Sequence, residues 1–122
     1  MAEIVEIPEE VREDLMKLQQ FQQQHQSLLL QKQNLELQLS EVESAMKEVD
    51  KSVENEMFEI VGNIMIKKDR VTILDSLKER KELLELRIKS IDKQIGNVVS
   101  KLNELQSKIL EKMKKEGPKE KK

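Results

Sequence analysis

In the second half of the chain Leu74, Leu77, Lys81, Leu84, Ile88, Ile91, Ile95, Val98, Leu102, Leu105, Ile109 and Lys112 follow one another by alternating steps of three and four. Ten of these twelve are branched aliphatic residues. Such spacing keeps one apolar seam turned toward a partner helix and is the pattern of a coiled coil. The first half carries a second seam, Leu35, Leu39, Val42, Met46, Val49 and Val53. It runs back through Lys32, Leu28, His25, Phe21 and Leu18. From Leu18 to Leu15 the step is three again, and two successive threes locally overwind a coiled coil, so this end is expected to be the looser one.

Between the seams, over residues 55 to 70, the rhythm stops. Met57, Phe58, Ile60, Val61, Ile64, Met65 and Ile66 crowd around Gly62-Asn63. A Gly-Asn pair between two short apolar runs is a hairpin signal, with glycine supplying the positive φ of a type II′ turn. A helical or irregular linker is the alternative. Either strand face carries apolar residues, and a lone two-stranded ribbon is marginal in water with two open edges, so the hairpin is expected to assemble with other copies.

The helix ends carry their own signals. Pro8 followed by Glu9 and Glu10 suits a helix start near residue 8. The second helix is expected to start between Asp69, a capping residue, and Thr72, which opens a Thr72-Ile73-Leu74-Asp75 capping box. Gly117-Pro118 stops it. Gly96 inside it costs on the order of 1 kcal/mol relative to alanine. The fold class is therefore mainly α, a long antiparallel two-helix coiled coil joined by one short β-hairpin. Its segments are a flexible amino terminus 1–7, helix 8–54, hairpin 55–68, helix 69–116 and a disordered lysine-rich tail 117–122. Two helices of about 40 residues give an arm roughly 60 Å long.

Composition supports one elongated domain, because a chain of 122 residues with 38% charged and 2% aromatic residues has little to fill a globular core. A net charge of -2, with both signs interspersed, argues against a duplex-binding surface. The chain reads as soluble and cytoplasmic, with no membrane span and acids where a secretory signal has bases. Absence of cysteine removes thiolate ligands, and His25 alone makes no metal site. The glutamine-rich run 18–26 reads as solvated helix. No phosphate loop is present, the glycines stand scattered at 62, 96 and 117, and no nucleophile and base can be paired, so no catalysis and no cofactor are expected.

At the end of the arm opposite the hairpin, Val11, Leu15, Leu18, Phe21, Ile109, Leu110 and Met113 have only two helices among which to share burial. Exposed apolar patches mark binding surfaces. Two readings stand open there: a surface that grips other chains, or residues that merely close the coiled coil.

The order helix, single hairpin, helix, with IPEEVREDLMKLQQFQQQHQSLLLQKQNLELQL at the front, the central VGNIMIK and the following DSLKERKELLELRIKSI, resembles the β-type subunits of prefoldin, an ATP-independent chaperone of archaea and eukaryotes. The resemblance covers about Ile7 to Lys114. An α-type subunit has two hairpins, and the interval here has room for one. The resemblance implies a hexamer of two α and four β subunits whose hairpins form intersubunit β-barrels. It implies capture of non-native client polypeptides at the coiled-coil ends and delivery to a group II chaperonin. Met57, Phe58, Ile60, Val61, Gly62, Asn63, Ile64, Met65 and Ile66 would then form the oligomerisation hairpin. Val11, Leu15, Leu18, Phe21, Ile109, Leu110 and Met113 would contact clients. The chain departs from the family pattern in lacking a tyrosine in the first strand, where Phe58 stands, and in its lysine-rich tail, which either aids solubility or touches a chaperonin rim. The rival reading is a structural coiled-coil tether or dimerisation module without chaperone activity. A nucleic-acid contact by the basic tail has weak support, because no aromatic stacking groups lie beside it.

Overall fold

A computed structural model describes residues 7–116, and side chains over residues 7–114. The elements run α1 (Glu9–Lys51), β1 (Glu56–Val61), β2 (Ile64–Asp69) and α2 (Arg70–Glu116). The expected flexible amino terminus, Ile7 excepted, and the expected disordered tail lie outside the described residues. Two compact units divide the chain: a hairpin unit of residues 31–92, and a terminal unit made of the residues up to 30 and from 93 onward.

In α2 all twelve predicted seam positions are buried or half-buried, with Leu84, Ile91, Val98 and Leu105 the buried ones. The intervening positions from Lys78 to Lys108 are exposed. That period is what a helix with one apolar stripe produces. Within the hairpin unit the α1 side of the seam is Lys32, Leu35, Leu39, Val42, Met46 and Val49, and Val42 is its most buried member. Lys32 reaches Asp92 at 2.7 Å and Lys81 reaches Glu43 at 3.6 Å. As α1 numbers rise the partner numbers fall, so the helices of this unit are antiparallel. Both lysines occupy seam positions and carry their ammonium groups out to the rim, as long basic side chains do.

The first helix ends earlier than its periodicity suggests. Val53, expected in the seam, is 94% exposed. The reason is local. The Ser52 N–H is shared between the carbonyls of Glu48 and Val49, at 3.2 Å each, and the Ser52 hydroxyl accepts the Glu54 N–H at 3.3 Å. A serine that offers the backbone such alternatives stops a helix. From the other side of the junction the Arg70 guanidinium donates to the Asp50 carbonyl at 2.9 Å, satisfying one of the acceptors that a helix end leaves open. The Arg70 N–H donates to the Asn55 carbonyl at 2.9 Å.

The hairpin is a two-stranded antiparallel sheet in which Val61 faces Ile64, Ile60 faces Met65, and Glu56 faces Asp69. Its loop is the predicted Gly62-Asn63. Gly62 has φ 61, and among the described residues no other positive φ occurs, the combination that separates a type II′ turn from a type I′ turn. The strand run reaches one residue beyond the expected 68, because Asp69 serves twice. It closes the ladder opposite Glu56, and its Oδ1 accepts the Thr72 N–H at 3.2 Å as the cap of α2. The helix thus starts at Arg70, and Thr72 lies inside its first turn instead of opening a capping box. At the front of α1, Pro8 stands just before the helix and gives its carbonyl to the Arg12 N–H at 3.0 Å.

Candidate protein-binding surfaces

Side chains alternate across a strand, so the register sorts the hairpin into two faces. One face carries Met57, Val61, Ile64 and Ile66 with Glu59 and Lys68; the other carries Phe58, Ile60 and Met65 with Glu56, Lys67 and Asp69. On each face one diagonal pair of charges meets, Lys68 with Glu59 at 3.3 Å and Lys67 with Glu56 at 3.1 Å. The apolar residues gather toward the turn and remain wet: Ile60 is 71% exposed, and Phe58, Val61, Ile64, Met65 and Ile66 are exposed as well, with Met57 half-buried. A sheet with apolar residues in water on both faces has the character of half an interface.

The terminal unit holds the second surface. Of the seven residues expected there, Leu15, Leu110 and Met113 are exposed, and Leu18, Phe21 and Ile109 are half-buried. Val11 corrects the expectation of a wet apolar residue, since at 1% exposure it is the most deeply buried side chain described. It lies in the seam, which here passes through Asp14 and not Leu15. The step from Leu18 back is four, to Asp14, and then three, to Val11, so the two consecutive threes expected here do not occur. Asp14 is a buried carboxylate, and Lys112 Nζ donates to its Oδ2 at 2.9 Å while lying 3.5 Å from Glu10. The hydrogen bond from Lys112, helped by the positive charges of Lys112, Lys108 and Lys17, holds the Asp14 carboxyl below its ordinary range although burial pushes it up. Asp14 in turn raises Lys112. In the same unit the Lys101 ammonium sits 5.6 Å from the centre of the Phe21 ring, within cation–π reach, and an open groove runs past Phe21, Leu105 and Lys108.

Sequence reasoning missed Asp14. The available signal was Lys112, a lysine at a seam position that needs a carboxylate on the facing helix. It also missed Arg70, whose role depends on where α1 ends. Among the described residues no group of acids and histidine is placed to hold a metal ion, and no helix is long and apolar enough to cross a membrane.

The chain has relatives among known proteins. The family model for prefoldin subunits matches residues 12–116. The prefoldin subunit beta of Methanothrix thermoacetophila is 39% identical over 105 residues, covering 85% of this chain and 88% of its own. That of Saccharolobus islandicus is 37% identical over 113 residues, covering 92% and 90%. The crystal structure of the prefoldin beta subunit from Thermococcus strain KS-1 superposes with a TM-score of 0.81 at 31% identity, covering 87% of this chain and 94% of that one. With two long helices joined by one hairpin and relatives matched over nearly their full length, the chain belongs to the prefoldin subunit family as a subunit of the β type.

Proposed function

We propose that this chain is a subunit of a cytoplasmic, ATP-independent holdase, assembled with an α-type partner as two α and four β subunits. The observation that carries the reading is the set of large apolar side chains held in water on both units. The hairpin supplies the assembly surface through Met57, Phe58, Ile60, Val61, Ile64, Met65 and Ile66. The terminal unit supplies the client surface through Leu15, Leu110 and Met113, with Leu18, Phe21 and Ile109 at its edge. Val11, being buried, supports that surface from beneath. Weak apolar contacts repeated on several subunits add by avidity, which retains a client of no fixed shape and still releases it to a group II chaperonin.

Removal of residues 1–21 and 106–122 tests the assignment of clients to the terminal unit. The truncated chain, mixed with its α-type partner, is expected to keep the native mass of the complex and to lose suppression of light scattering by an unfolding test protein. Undiminished suppression would show that clients bind elsewhere.

A further inference from the structure

One turn before Leu18 the sequence offers two residues to the seam, Asp14 and Leu15. Val11 belongs to the seam with either. At about 100° per residue, Asp14 and Leu15 lie roughly 50° to either side of the line through Val11 and Leu18, so a modest rotation decides which one faces the partner helix. Burial of apolar area favours Leu15. The structure has the reverse: Asp14 is 4% exposed and Leu15 is 39% exposed. A buried carboxylate without a partner is strongly unfavourable, and the compensating group here is Lys112, at 2.9 Å.

We infer that Asp14 and Lys112 are a positioning pair that sets the rotation of the first turns of α1 and thereby holds Leu15 on the surface of the terminal unit. The pair acts through helix orientation. Polar residues at seam positions are known to fix register and orientation where apolar contacts alone leave a choice. Here the choice concerns which side chains the unit shows to water. Glu10, 3.5 Å from Lys112, supplies a second acceptor on the same helix and strengthens the hold on the same rotation. Leu15 is one of several residues proposed to meet clients, but its orientation is read from thiol exposure without any client, so failure of this assignment and failure of the proposed function are distinguishable.

The chain has no cysteine, so single thiols report exposure cleanly. Leu15→Cys and Val11→Cys are made separately in the full-length assembled protein, and alkylation by iodoacetamide is timed at neutral pH. With the pair intact, the thiol at 15 reacts and the thiol at 11 is protected. In the Lys112→Met background, alkylation at 15 is expected to slow on the order of tenfold as that residue turns inward, with 11 still protected, since thiol reactivity follows exposure. Exchanging the charges, Asp14→Lys with Lys112→Asp, is expected to restore the rate at 15. An unchanged rate at 15 in Lys112→Met would overturn the inference, because continuity of the seam would then set the rotation unaided. Rapid alkylation at both 11 and 15 would overturn it equally, by showing that the pair only keeps the helix ends together.

Discussion

Two glycines show how one substitution can act with opposite sign at the residue scale. A Cβ built on Gly62 or on Gly96 meets nothing within 4 Å, so neither glycine is required for space. They differ in backbone. Gly62 holds φ 61 in the hairpin turn, where an L side chain costs about 1–2 kcal/mol, whereas Gly96 is helical, where alanine is favoured by about 1 kcal/mol. Gly62→Ala is therefore expected to lower the thermal midpoint and Gly96→Ala to raise it, both read by circular dichroism. A shift of the same sign in both would mean that packing, not backbone conformation, governs these sites. The turn glycine was legible in the sequence, since Gly-Asn between apolar runs has few other uses. Asp14 was not, because hydropathy scores residues by type, and its burial depends on a lysine 98 positions away.

At the scale of the element, periodicity located the seams and local hydrogen bonding located the ends. The α2 seam was readable throughout because its apolar residues never break step. In α1 the same rule overran by two residues into Val53 at one end and chose Leu15 over Asp14 at the other. Both errors come from polar groups, Ser52 and Lys112, that apolar spacing does not weigh. The caps also make these elements sensitive to acid. Hydrogen bonds from Thr72 hold the Asp69 carboxyl below its ordinary range, as Lys112, with Lys108 and Lys17, holds Asp14. A carboxyl with a depressed folded-state pKa contributes stability that is complete above its unfolded value and is lost as pH falls through the folded one. Both contributions are thus expected intact at neutrality and lost below about pH 4. Lys112, raised by Asp14, adds stability that is full below its ordinary value and fades only as strong alkali passes the raised one. Asp69→Asn keeps an oxygen that can accept the Thr72 N–H, so its thermal midpoint at pH 7 should stay near that of the parent while its loss on acidification shrinks; Asp69→Ala should lower the midpoint at pH 7. An acid response identical in Asp69→Asn and the parent would remove Asp69 from the account.

For the whole molecule, the residues that hold the helices together and the proposed assembly surface are different sets. The helices bury Val42, Ile73, Leu84 and Ile91 in the hairpin unit and Val11, Leu28, Val98 and Leu105 in the terminal unit, while the hairpin leaves nearly all its apolar side chains in water. Ile64→Asp with Ile66→Asp puts two charges on the face shared with Met57 and Val61, and the pair touches neither seam. If that face is covered in the assembly, two unpaired carboxylates there cost several kcal/mol. The expected outcome is release of small species in sedimentation velocity, with the helical circular dichroism signal retained. The face with Met57, Val61, Ile64 and Ile66 carries four apolar residues against three on the other, so if the hairpins close into a barrel with one packed face, Ile60→Asp with Met65→Asp, on the opposite face, should be the milder change. Equal collapse of both variants would point instead to hairpins covered on both faces, and an intact complex in both would place the assembly surface outside the hairpin altogether.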